Sequence, residues 1–186
     1  MLGFAFCGSF CTHARAMREL RNLLEDGYEI QPIVSECVWE TNTRFGNARV
    51  FIEALEGLCG RPVIHTITEA EPLGPRDPLE ALVIAPCTGN TLAKLANGIT
   101  DTAVCMAAKA HLRCDRPLIL ALASNDALSA NLQNIATLLS RKSVYFVPME
   151  QDDPEKKPHS LVADFTLLRP TLSAAREGRQ FRRLFL

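Results

Sequence analysis

Residues 81–101, ALVIAPCTGNTLAKLANGITD, pass from a continuous apolar run through Pro86 and a cluster of small hydrogen-bonding residues into an Ala/Leu/Lys-rich segment. An apolar run with no polar face needs cover on both sides, so residues 81–85 predict a parallel strand inside a sheet. Leu92, Leu95 and Ala96 fall at helical spacing. The order strand, turn, helix puts Cys87 to Thr91 outside the carboxyl end of a strand, where open α/β sheets bind ligands. Gly89 leaves room for close backbone approach, while Thr88, Asn90 and Thr91 bring hydroxyls and an amide without net charge. That set suits a phosphate or a polar planar ligand better than a metal ion.

The same pattern recurs along the chain. Residues 2–7 are apolar and are followed at once by Gly8 and Ser9, after which Ala14, Met17, Leu20 and Leu24 predict a helix that stops at Gly27. The turn of residues 7–12 offers backbone N–H groups and the hydroxyls of Ser9 and Thr12, the chemistry that holds a phosphate at a helix start. It carries one glycine instead of a full dinucleotide fingerprint, so an ordinary capped turn is the competing reading. Residues 29–34 predict a second strand delivering Ser35, and the polar stretch 36–47 predicts a long binding loop whose fixed positive charge is Arg44. Residues 47–59 read as a helix, 62–67 as a third strand with His65 packed inside it, and 72–78 as a Pro-rich connection. Beyond the central turn, 102–113 is helical, 117–123 a strand delivering the polar turn Ser124-Asn125-Asp126, which opens a helix through residue 140, and 144–147 a sixth strand. Residues 151–159 form a charged loop with Lys156 and Lys157, and 161–185 a helix broken near Pro170.

Strands alternating with helices predict an α/β fold, a three-layer Rossmann-like parallel sheet of about six strands with helices on both faces. The polar turns then share one edge of the sheet, which predicts a single ligand site. With 186 residues the chain reads as one domain, 1–186, of which 169–186 would be a C-terminal helical tail. Seven cysteines, at 7, 11, 37, 59, 87, 105 and 114, match neither zinc pairs nor a secreted framework and predict free, reduced thiols without a metal. Charge is balanced, 20 Lys+Arg against 21 Asp+Glu, so no nucleic-acid surface is expected, and the basic residues of 179–183 read as a solvated helix end. Residues 1–9 lack the basic flank of a signal peptide, and no apolar run reaches the ~18 residues of a membrane span. The Ala- and Met-rich residues 103–110 look too apolar for a monomer surface and predict a homo-oligomer.

Gly8-Ser9 after the first strand and PCTGNTLAKLANG at 86–98 resemble the flavin motifs of the homo-oligomeric flavin-containing cysteine decarboxylase family. The segments TNTRFG at 41–46, AEPLGP at 70–75, SNDAL at 124–128 and QDDPEKKP at 151–158 are similar to one branch of it, found in spore-forming bacteria. The resemblance implies FMN or an FMN-like phosphate ligand at Gly8, Ser9, Ser35, Pro86, Thr88 and Asn90, and the polar turns themselves add Thr12, Gly89, Thr91, Ser124 and Asn125 to the expected cofactor site. It also implies a homo-oligomer, trimer or dodecamer, in the mother-cell cytoplasm, and a partner protein that supplies NAD(P). The pair would oxidise a dihydropyridine dicarboxylate to its aromatic form, with Arg44, Lys156 and Lys157 meeting the substrate carboxylates and the catalytic residues unassigned. A non-catalytic chain that activates its partner is the second reading. A decarboxylase acting alone comes last, because His65 stands 21 residues before Pro86, farther than the family's catalytic histidine stands from its proline.

Overall fold

The computed structural model describes residues Met1–Leu186. Five parallel strands, β1 (Leu2–Phe6), β2 (Ile30–Val34), β3 (Leu82–Cys87), β4 (Leu118–Ser124) and β5 (Val144–Phe146), run in the order β2-β1-β3-β4-β5. All residues of β1 to β4 are buried, as strands covered on both faces must be. Two short strands, β6 (Met149–Glu150) and β7 (Leu161–Ala163), add an antiparallel extension, with Ala123 opposite Val162. The outer edge of β4 is thus shared: its first half pairs with β5 and its last two residues with β7.

Eight helices follow in chain order: α1 (His13–Glu25), α2 (Glu36–Glu40), α3 (Ala48–Cys59), α4 (Ile67–Ala70), α5 (Gly89–Asn97), α6 (Ala103–Leu112), α7 (Leu132–Leu139) and α8 (Leu168–Arg176). Alternate strand residues divide the core in two. Leu82, Ile84, Leu118 and Leu120 pack with Leu92, Leu95, Val104, Ile135 and Leu138 from α5, α6 and α7. Val83, Ile119 and Ala121 pack with Met17, Leu20, Ile52, Leu55 and Leu172 from α1, α3 and α8. Burial of these apolar side chains, at roughly 25 cal/mol per Å² removed from water, is what drives the layers together.

Four sequence expectations are corrected. The third strand of residues 62–67 reduces to one bridge between Ile64 and Ile33, because Thr66 instead caps α4 and exchanges hydrogen bonds with Glu69. His65 lies flat on Trp39, ring centroids 3.6 Å apart, with Nδ1 3.4 Å from a Glu69 carboxylate oxygen. Residues 36–47 are not all loop, since α2 takes the first five. Helix 126–140 begins only at Leu132, and of residues 161–185 only α8 and a 3-10 turn are helical.

Pro170 sits in the first turn of α8, where the N–H that proline lacks has no helical acceptor. After α8 the tail is extended rather than helical. Gln180 donates to and accepts from Phe146, mimicking a peptide on the free edge of β5, and Leu184 and Leu186 pair with Met149.

The apolar face of α6 is covered by its own chain. Ala103, Val104, Ala107, Ala108, Ala110 and Leu112 are buried, and the Pro-rich segment folds over them so closely that a Cβ on Gly74 would stand 2.2 Å from the Ala110 carbonyl oxygen. The composition of α6 therefore argues for internal packing and not for an interface between copies.

Gly74→Ala should lower stability by about 1–3 kcal/mol, at the upper end because the neighbour is backbone, as measured by urea unfolding. His111, buried in α6 with Nε2 donating to the Pro117 carbonyl at 2.9 Å, has its pKa lowered chiefly by burial, as does His13. The unfolded chain takes up these protons below about pH 6.5 while the folded chain resists. The stability the pair contributes is then complete above that pH and lost as pH falls through the depressed folded values. Unfolding midpoints should drop from pH 7.5 to 5.5, and His111→Gln should flatten the slope.

Candidate functional site

From β1 the chain crosses to β2 on one side and later returns to β3 on the other, so the carboxyl ends of β1 and β3 form the topological switch point of the sheet. Two turns meet there. In the first, the Ser9 N–H donates to the Cys7 carbonyl at 2.8 Å and the Thr12 N–H to the Ser9 carbonyl at 3.0 Å, drawing residues 7–12 into a tight loop ahead of α1. The N–H groups of Gly8, Phe10 and Cys11 make no hydrogen bond within the chain. In the second, Thr88 caps α5 by accepting from the Thr91 N–H at 3.3 Å.

A relay of hydroxyls joins the two turns. Thr88 Oγ1 donates to Thr91 Oγ1 at 3.2 Å, and Thr91 Oγ1 donates to Cys7 Sγ at 3.3 Å. The Cys7 N–H also donates to the Pro86 carbonyl at 3.3 Å, where β3 shifts register. Burial pushes the Cys7 thiol up to about 12 and raises Cys87 and Cys105 as well, so all three remain protonated packing groups. Ser35 enters from β2, its N–H donating to the Phe6 carbonyl at 3.0 Å, while its buried Oγ has no partner.

Gly8, Ser9, Ser35, Pro86, Thr88, Gly89 and Asn90 accordingly gather at the ends of three adjacent strands. Thr12 and Thr91 lie at the same edge but turn inward: both are buried and their hydroxyls are spent on the turns themselves. Gly89 does make a close approach, and its neighbours are protein. A Cβ there would stand 2.5 Å from Ser124 Oγ, 2.7 Å from Asn131 Nδ2 and 2.9 Å from Asp126 Oδ1.

Those three side chains form a unit the sequence reading missed. Asp126 accepts from Ser124 Oγ and, at 2.9 Å, from Asn131 Nδ2; the two bonds, Ser124 foremost, hold its carboxyl below the usual range. A fixed anion therefore lies against the amino end of α5, satisfying the helix dipole. Asn131 falls inside the stretch that reads as helix, so its hydrogen-bonding role left no periodic trace. Asn125 is exposed at the same loop.

Beside the first turn lies a cavity of about 290 Å³, lined by Phe10, Cys11, His13, Met17, Phe45 and Phe51 among others. It contains none of the residues expected to hold a cofactor. It does draw on the loop after β2, through Thr41, Thr43, Phe45 and Gly46. Arg44 is exposed beside it, its guanidinium 4.9 Å from the Phe45 ring centroid. Lys157 is exposed and pairs with Asp152 at 2.7 Å, while Lys156 is exposed without an ion pair. Their loop meets the Asp126 loop through the Leu128 N–H and the His159 carbonyl, 2.9 Å apart.

The sequence model of the flavoprotein family matches residues 2–165. The B subunit of dipicolinate synthase from Bacillus subtilis (strain 168) is 45% identical over 174 residues, covering 94% of this chain and 87% of that protein. The crystal structure of the B subunit of dipicolinate synthase from Bacillus halodurans C superposes with a TM-score of 0.91 at 39% identity, covering 100% of this chain and 95% of the other. The FMN-dependent cysteine decarboxylase SpaF, at 21% identity, TM-score 0.66 and coverage of 94% and 95%, shares the fold. Together with the parallel sheet and the paired turns at its switch point, these matches establish that the chain belongs to the flavoprotein family.

Proposed function

We propose that this chain is the B subunit of a dipicolinate synthase, acting with a nicotinamide-binding A subunit to oxidise a dihydrodipicolinate-type intermediate to dipicolinate, pyridine-2,6-dicarboxylate, during sporulation. The observation that carries this reading is identity with a protein of that name, 45% across 94% of the chain. Its setting would be the mother-cell cytoplasm, and no helix is long and apolar enough to cross a membrane. The homo-oligomer, trimer or dodecamer, rests on family membership and not on the surface of α6.

The residues at the switch point fit FMN. An orphaned buried hydroxyl on Ser35 and unpaired N–H groups at Gly8, Phe10 and Cys11 are the donors a phosphate needs, and no acidic residue occupies the first turn of α1. Asp126 makes the amino end of α5 the poorer place for a phosphate, since like charges would meet there. Thr88, Asn90 and the edge of Pro86 remain for the uncharged ring. Bound there, the flavin would supply redox chemistry beside that of the partner's nicotinamide. The protein's own part is to orient the substrate and to take the proton that leaves as the ring becomes aromatic.

Ser9→Asp sets an anion where the phosphate would lie, on a half-buried turn, so FMN affinity should fall at least about tenfold with the fold retained. Flavin fluorescence titration reads this directly, and parent-like affinity would remove the turn from the site. The function itself is tested by mixing the chain with the nicotinamide-binding partner, a dihydrodipicolinate source and oxidised nicotinamide cofactor, and following the product by ultraviolet absorbance. Product should require both proteins; equal yield without this chain would end the proposal.

A further inference from the structure

The cavity beside the first turn is shaped and equipped for a flat ring. At about 290 Å³ it stands at the small end of ligand pockets, enough for one ring system and not for a dinucleotide. Its walls are aromatic: His13 and Phe51 are stacked with centroids 4.9 Å apart, and Phe10 approaches His13 at 5.1 Å. Such walls favour offset stacking with another planar group.

His13 lines the cavity and has one ring nitrogen fixed. Its Nε2 lies 2.8 Å from the Cys7 carbonyl oxygen, which can only accept, so Nε2 carries the hydrogen and Nδ1 presents a lone pair. Burial keeps the imidazole in that neutral form at pH 7. At the rim Arg44 has no carboxylate partner in the chain, and its guanidinium rests over Phe45, a wall of the cavity. Aromatic walls, one neutral acceptor and one uncommitted guanidinium describe a site for a planar heterocycle that carries a carboxylate.

We propose that this cavity is the substrate subsite, in which the pyridine-type ring stacks among Phe10, Phe45 and Phe51, Arg44 meets a carboxylate, and His13 is the catalytic base. The inference rests on the dipicolinate synthase reading for the identity of the ring. As the dihydropyridine ring is oxidised, a C–H bond breaks and its hydride goes to the nicotinamide-type oxidant. A proton leaves the ring for Nδ1, the electron pair left behind completes the aromatic ring, and the imidazole becomes an imidazolium. The Cys7 carbonyl then holds the Nε2–H and steadies that charge, and the proton passes on to water.

The test uses the intact chain with dipicolinate itself as probe, in metal-free buffer. Calorimetry should show binding that Phe51→Leu and the exposed Arg44→Gln each weaken at least about tenfold, with the imidazole nitrogens of His13 shifting in NMR on addition of the probe. In the two-protein assay His13→Gln should lower kcat by about a hundredfold or more, the range of a lost general base, with KM changed less than about threefold. Parent-like affinity in Arg44→Gln, an unshifted His13 or an unchanged kcat in His13→Gln would overturn the proposal. Binding that depends on the cavity, in a protein that yields no product with its nicotinamide-binding partner, would overturn the synthase reading and leave the subsite standing. Product formed at parental KM by Phe51→Leu and Arg44→Gln would do the reverse.

Discussion

Everything at the ligand edge depends on the parallel pairing of β1 with β3, two strands separated by more than seventy residues of chain and buried on both faces. Because the chain leaves β1 in one direction and reaches β3 from the other, no crossover covers the gap between their carboxyl ends. The turns that open there would be free to splay, and the relay Thr88, Thr91, Cys7 ties them. A net gain of about 1 kcal/mol for each such hydrogen bond is small against the burial of the strands. Its effect is positional, since it fixes one turn with respect to the other. The raised thiol pKa belongs to the same design: a neutral Cys7 can accept the Thr91 hydroxyl without placing a charge in the core.

The two helix starts at the switch point have been given opposite electrostatic characters. That of α5 is capped by Thr88 and faced by the Asp126 carboxylate, whose own oxygens are held by Ser124 and Asn131. That of α1 has no side-chain cap bond and no acid in its first turn. The start of α1 is therefore the more electropositive of the two, while that of α5 is already offset by a carboxylate. Gly89 is what permits this division, because a side chain there would collide with the Ser124, Asp126 and Asn131 cluster. The glycine keeps the anion close to the helix, which is a different use from admitting a ligand.

Much of this was legible in the sequence. The buried strands β1, β3 and β4 announce themselves as apolar runs ending in Gly-Ser, Pro86 and Ser124, because burial on both faces removes all other periodicity, and β2 does so with the one polar interruption of Gln31. What failed to show was set by pairing at long range. Residues 62–67 have the composition of a strand, but Thr66 and Glu69 commit the backbone to a capped helix after a single bridge. The short β6 and β7 exist only because the last residues of β4 need a neighbour, and two or three residues carry no period. The tail is held extended by Gln180 and Phe185, contacts to β5 and β6 that helical propensity cannot foresee. Asn131 and the bonding of Asp126, read only as part of a polar turn, escaped notice for a related reason: a hydrogen-bonding cluster is defined by geometry across a loop.

The 3-10 turn Phe10–Thr12 links the switch point to the aromatic cavity, since the free N–H groups of Phe10 and Cys11 belong to the first and their side chains line the second. His13 follows directly, and its hydrogen bond to the Cys7 carbonyl spans the turn from one end to the other. The imidazole orientation, the path of residues 7–12 and the direction of the free N–H groups are thus one geometric unit. Thr12 closes it, its buried hydroxyl donating to the Ser9 carbonyl at 2.8 Å. An anion drawn onto the N–H groups would tighten the same turn that holds His13 against Phe51. The direction of the free N–H groups and the order of the cavity wall are therefore set together by six residues of backbone.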